Sequence, residues 1–317
     1  MNTDEKFRSL LGFDPNKPPE LLDIAERRAF GHEIYRVIRS QAVTPELGSR
    51  TGHTVESAEH PVPVRIYRPK GRSRGIYIYF HGGGWTTGSI EDVEPHCAHV
   101  SADAEVAVVN VGYRLAPENP FPAAVEDAFA VLDWADTKRA ELASDDAPII
   151  VAGTSAGANI ATVAAAMCRD RCGARIAFQY LDVPALDATL SRPSVTQANA
   201  LAGVLKPDAL RVAYLEYLGA EGSATHPYVS PLLADDVGGL PPALIVTAEF
   251  DPLRDEGEEY ADRLRAAGVD ALHHRYPGVG HGFTALEFLD PEPGPAHREL
   301  VAAVRACVAG RSPLSSP

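Results

Sequence analysis

The sequence predicts the α/β class: a mostly parallel central sheet flanked by helices. Apolar runs of strand type alternate with helical segments through the middle of the chain, the pattern a parallel sheet requires. One such run, 149–153, passes through Gly-Thr-Ser-Ala-Gly straight into a helix of small residues, with almost no loop between. At 317 residues and 45% hydrophobic content the chain can bury one large core, so residues 1–317 read as a single domain.

The elements follow in order. The first segment, to about Gly48, carries apolar residues at Leu21, Leu22, Ile24, Ala25, Phe30, Ile34, Val37 and Ile38 and stands outside the alternation. Residues 63–68 read as an early antiparallel strand, and 75–80 as a strand running into His81-Gly82-Gly83-Gly84-Trp85. A buried strand is expected over 106–111. The loop after it, Tyr113-Arg114-Leu115-Ala116-Pro117-Glu118, is stiffened by Pro117, Pro120 and Pro122, and its Arg114 and Glu118 suit structural hydrogen bonds. An amphipathic crossover helix is expected over 123–142, and the helix after the 149–153 strand over 160–167. Residues 174–181, 244–248 and 271–276 supply further strands. A second segment outside the alternation, about 189–224, has Pro207 at a helix start, then Leu210, Tyr214, Leu215, Tyr217 and Leu218. The two outlying segments, 1–48 and 189–224, are expected to pack over the 153–157 turn as a cap. The tail 312–317 reads as disordered.

The 153–157 turn carries the strongest chemical signal. A serine on a sharp strand-to-helix turn is exposed for attack, and its neighbours two residues either side must be nearly free of side chain; Gly153 and Gly157 meet that need. The helix start sets the Ala156 N–H beside the Ser155 oxygen. Upstream, the glycines after the 75–80 strand let backbone N–H groups turn inward on a bound carbonyl. Gly83 and Gly84, with Ala156, are the candidate donors of an oxyanion hole, each worth about 3 kcal/mol to a tetrahedral intermediate. A phosphate-binding loop would need a lysine after the glycines, and none follows. His81 precedes the serine, the wrong order for its base, and is expected to orient the loop through its ring nitrogens.

In this architecture the acid and then the base follow the serine along the chain. His281, in Gly278-Val279-Gly280-His281-Gly282-Phe283, stands in an open loop after a strand and is the candidate base. His273 and His274 fall within the strand run, His226 precedes the acid, and His297 is expected to start a surface helix. For the acid, Asp251 lies just past the 244–248 strand, with Pro252 turning the chain into a helix. Asp255 and Glu256 fit that helix's first turn, where carboxylates complement the helix dipole; Asp255 is the first alternative to Asp251, and Glu249 ranks below it.

His81-Gly82-Gly83-Gly84-Trp85, Tyr113 to Glu118, Gly153 to Asn159, Ser230-Pro231-Leu232, Asp251-Pro252-Leu253 and His281-Gly282-Phe283 occur in that order. With them the chain resembles the bacterial esterases related to hormone-sensitive lipase, over about 62–307. The resemblance implies an α/β-hydrolase fold with a helical cap and serine-dependent hydrolysis of short-to-medium acyl esters, with no metal, no cofactor and a possible homodimer. Two places depart from the family's usual wording: Thr154, where Asp is commoner, and Val183-Pro184-Ala185-Leu186. The expected mechanism is acyl transfer: Ser155 attacks, His281 takes and returns the proton, and Asp251 holds the imidazole. An amidase or deacetylase on the same triad is the alternative, and a non-catalytic binding protein of the same fold a further one.

Composition narrows the partners. A formal charge of −14, with Lys6, Lys17, Lys70, Lys138 and Lys206 scattered, argues against nucleic acid or an anionic membrane, and the resemblance implies a small-molecule ester as the partner. The polar start Met1-Asn2-Thr3-Asp4-Glu5-Lys6 lacks a signal-peptide core, and no apolar run has transmembrane length, so a reduced cytoplasmic location is expected. Cys168 and Cys172, four apart on an expected helix, read as two thiols packed on one face.

Overall fold

The computed structural model describes residues 22–57, 60–197, 205–290 and 292–314. Helix α1 (Ile24–Gln41) leads into the antiparallel strands β1 (Ser49–Val55) and β2 (Val62–Arg68). Then come β3 (Ile76–Phe80), α2 (Glu94–Ala104), β4 (Ala107–Val111), α3 (Ala123–Thr137), α4 (Arg139–Leu142), β5 (Ile149–Thr154) and α5 (Ala156–Asp170). β6 (Ile176–Asp182) is followed by α6 (Pro193–Gln197) and α7 (Pro207–Leu218), then β7 (Ala243–Phe250), α8 (Arg254–Ala266), β8 (Ala271–Gly280) and α9 (Pro295–Val308). The eight strands form one sheet in the order β1-β2-β4-β3-β5-β6-β7-β8. Pairing is antiparallel for β1–β2 and β2–β4 and parallel from there to β8.

Both faces of the sheet are covered, which is why its inner strands read as continuous apolar runs. Alternate residues feed two cores. Ile76, Ile78, Val109, Ile149 and Val151 pack under α3, α5 and α8, while Tyr77, Tyr79, Val108, Ile150 and Tyr180 pack under α2 and α9. α5 is made largely of alanine, so its backbone approaches the sheet closely. A Cβ on Gly157 would lie 2.0 Å from the Phe80 carbonyl oxygen, and any side chain there would force the helix off β3.

Several elements differ from expectation. The 123–142 helix breaks at Lys138 into α3 and α4, and α5 runs from Ala156 to Asp170, longer than 160–167. Cys172 lies past the end of α5 at φ +55°, exposed, while Cys168 is buried, so the two thiols share no face. His297 does open a helix but points inward: it is 5% exposed, with Nε2 2.8 Å from Asp103 Oδ2. In the first outlying segment the structure describes α1, with Leu21 and everything before it outside the described residues. In the second it describes α6 and α7, with 198–204 outside. Of the tail, residues 312–314 are described, and Leu314 rests against the α9 side of the core.

Candidate active site

The sheet brings the site together at the carboxyl ends of its strands, where parallel α/β sheets place their ligand sites. Ser155 follows β5, Asp251 follows β7, His281 follows β8 and Gly82 to Gly84 follow β3. Ser155 sits at φ +57°, ψ −119°, a conformation L residues rarely adopt, because β5 must turn at once into α5. Its backbone N–H donates to the Asp182 carbonyl at 2.8 Å, which pins the turn to β6.

His281 Nε2 lies 3.0 Å from Ser155 Oγ, and His281 Nδ1 lies 2.8 Å from Asp251 Oδ2. The carboxylate can only accept, so Nδ1 carries the proton and Nε2 presents its lone pair to the serine hydroxyl. Asp251 Oδ1 accepts from the Leu253 N–H at 2.9 Å, which fixes the carboxylate's rotation. Burial pushes the His281 pKa down, but the Asp251 charge and hydrogen bond, aided by Asp182, outweigh it and hold the imidazole above its ordinary 6.5. A hydroxyl so arranged can lose its proton to the ring as it attacks an electrophile, and the carboxylate then stabilises the imidazolium.

The other carboxylates have different partners. Asp255 accepts from the Ser194 N–H at 2.8 Å and pairs with Arg254, and Glu249 accepts from the Gly278 N–H at 2.7 Å. Glu256 is buried in the first turn of α8 and accepts from Leu186 and Asp187 N–H; burial raises its pKa well above the usual carboxylate range. His273 and His274 lie within β8, and His226 Nδ1 accepts from the Tyr228 N–H at 3.0 Å.

Gly83 and Gly84 line the same cavity as Ser155 and His281, and Ala156 is the first residue of α5 beside them. First-turn N–H groups have no acceptor within their helix, so the Ala156 N–H is of the type that receives an anion. Gly83 takes φ +115°, and a Cβ there would stand 2.3 Å from the Thr87 oxygen, so the loop closes only around glycine. The His81 ring N–H at Nδ1 donates to the Gly82 carbonyl at 2.7 Å, and the Tyr113 hydroxyl donates to the His81 carbonyl at 2.8 Å. The histidine thus orients the glycine loop.

The cavity over Ser155 has a volume of about 270 Å³. Its floor is Ser155, His281 and the glycine loop, and its walls come from α1 (Phe30, Tyr35) and α7 (Leu210, Ala213). Arg27 of α1 and Glu216 of α7 close on each other at 2.5 Å across that cavity. Arg28 anchors α1 below, donating to the Thr86 and Ala116 carbonyls at 2.9 and 3.0 Å and pairing with Glu118 at 2.6 Å. Arg114 meanwhile pairs with the buried Asp127. Trp85, next to the glycines, stacks on Tyr217 of α7 with centroids 4.4 Å apart. Sequence reasoning missed Arg27, Arg28 and Glu216, because single charges on amphipathic helices look like any solvated face.

Away from this cavity, His99, Asp103 and His297 each bring a possible metal-ligating atom within 4.8 Å of the others. Asp103 Oδ2 already accepts from His297 Nε2, and His99 Nε2 donates to the Val43 carbonyl at 2.7 Å. These bonds join α2, α9 and the chain after α1. Among the described residues, no helix is long and apolar enough to cross a membrane.

Comparison with known proteins agrees with this fold. A family model described as alpha/beta hydrolase fold matches residues 77–285. Carboxylesterase NlhH of Mycobacterium tuberculosis is 39% identical over 77% of this chain and 78% of its own length. An arylesterase of Saccharolobus solfataricus is 37% identical over 75% and 78%. Among solved structures, an esterase of Pyrobaculum calidifontis superposes with a TM-score of 0.86 at 35% identity, covering 95% of this chain and 97% of that one. The metagenomic carboxylesterase EstE1 gives 0.84 at 34% identity, covering 93% and 99%. On the fold, the order of motifs and these relatives, the chain belongs to the hormone-sensitive-lipase-like family of α/β-hydrolase carboxylesterases and is an ester hydrolase.

Proposed function

We propose that the protein is a serine carboxylesterase that hydrolyses short-to-medium acyl esters through an acyl-enzyme on Ser155. The observation that carries this reading is the unbroken hydrogen-bonded relay Asp251–His281–Ser155 on the floor of the α1/α7 cavity. In the first step His281 Nε2 takes the Ser155 proton as Oγ attacks the ester carbonyl, and the N–H groups of Gly83, Gly84 and Ala156 receive the oxyanion. His281 then protonates the leaving alcohol. In the second step it deprotonates water, which attacks the acyl-enzyme carbonyl, and it returns that proton to Ser155 Oγ as the acyl C–O bond breaks and the acid leaves. α1 and α7 act as the cap. Their apolar side chains receive the acyl chain, and the 270 Å³ of space favours small esters over long lipids.

The test is hydrolysis of p-nitrophenyl esters from acetate upward, wild type beside Ser155→Ala. Turnover should peak at short chains and fall by at least about 10⁴-fold in the variant. Substantial Ser155→Ala activity would move the nucleophile elsewhere. Turnover of the corresponding anilides at comparable kcat/KM would instead favour the amidase reading.

A further inference from the structure

A second carboxylate stands behind the proposed base. Asp182 ends β6 and is 1% exposed. Its Oδ2 accepts hydrogen bonds from the Thr154 hydroxyl at 2.8 Å and the Thr284 hydroxyl at 2.6 Å. Its Oδ1 is buried with no hydrogen-bond partner among the described residues. Thr154 immediately precedes Ser155, and Thr284 follows His281 by three residues, so one carboxylate group ties the nucleophile's turn to the base's loop. The Asp182 backbone carbonyl adds a third tie through the Ser155 N–H. The residue after it, Val183, is held at φ +41°, a costly conformation for a β-branched side chain. A buried carboxylate with hydroxyl donors and, among the described residues, no arginine or lysine partner is poorly compensated as a purely structural device. It becomes intelligible if its charge is matched by one that forms during turnover.

We infer that Asp182 is a positioning residue for His281: through Thr154 and Thr284 it holds the serine and histidine in register, and its charge stabilises the imidazolium. This rests on the reading of His281 as the base. Burial lifts the Asp182 pKa to about 6, against the pull of Thr284, Thr154 and His281, so its charge changes in the range where the base titrates. The other titratable groups bearing on it are Glu287, raised by burial, and Tyr35, Tyr77, Tyr79 and Tyr180, all raised by burial and uncharged over that range. His96 of α2, which stacks on Tyr79, is held near 3 by burial and stays neutral. A cavity of about 40 Å³ is lined by Thr154, Thr284 and Tyr79, on the outer side of the two threonines that bond Asp182.

The experiment is the pH profile of kcat/KM on p-nitrophenyl acetate for wild type, Asp182→Asn and Thr284→Val. Removing the negative charge destabilises the imidazolium, so the acid limb of Asp182→Asn should move to lower pH by about half a unit. Thr284→Val weakens the anion and should move the limb the same way by less. A structural role would lower the plateau and leave the limb in place. An unmoved limb in folded Asp182→Asn, or in Thr284→Val if the first variant does not fold, overturns the inference. Its failure is separable from failure of the underlying reading: in the first case His281→Gln is still inactive, in the second it still turns over.

Discussion

At the scale of single residues, the proposed chemistry depends on which nitrogen of His281 carries the proton, and Asp251 decides that. Asp251→Asn would offer an amide N–H where a carboxylate accepts, turning the ring to the wrong tautomer. We expect kcat to fall by about 10⁴-fold with little change in melting temperature. A near-wild-type rate would hand the role to another acid, against the engagement of Asp255 with Ser194 and of Glu249 with Gly278. The pH dependence has a definite sign. His281 must be neutral to act, and its pKa is raised above 6.5, so kcat/KM should fall as pH drops through a value above 6.5. An acid limb centred below 6.5 would contradict this assignment. Ser155, Asp251 and His281 were legible because glycines and a proline around them leave few other roles. Asp182 was not, since an aspartate ending an apolar strand reads as an ordinary strand terminus until Thr154 and Thr284 are seen to meet on it.

At the scale of elements, the parallel strands were legible because burial on both faces removes the ambiguity of alternation. β1 was not: Ser49–Val55 is an edge strand with polar residues on both faces and a single buried valine. α2 also escaped, since it starts at Glu94-Pro95 with no side-chain cap and carries the polar His99 and Ser101 on its buried side. The two helices over the cavity were anticipated as segments, but their charged clasp was not. Arg27 and Glu216 form the ion pair that joins α1 to α7, so Arg27→Gln should loosen the lid more than the chemistry. We expect KM for short esters to rise several-fold with kcat within about threefold of wild type. A kcat loss with unchanged KM would place Arg27 in the reaction itself.

At the scale of the molecule, the fold class followed from the alternation, yet the site exists only because a sheet order of β3-β5-β6-β7-β8 sets the ends of distant strands side by side. No local window of sequence contains that order; it enters through the family's motifs. Thr154 and Asp182, 28 residues apart in sequence, are neighbours in space, joined by a 2.8 Å hydrogen bond across the β5–β6 pair.

The backbone at Ser155 has a consequence for heat resistance. At φ +57°, ψ −119° any side chain is strained, at roughly 1–3 kcal/mol. In an ordinary loop, replacing alanine by glycine loosens a protein; here the order should invert. Ser155→Gly should melt about 1–3 °C above Ser155→Ala, although both lack the hydroxyl and neither turns over. If the alanine form melts higher, the turn is unstrained. If the glycine form does, the turn that exposes the Ser155 hydroxyl holds backbone strain that any side chain at this position must bear.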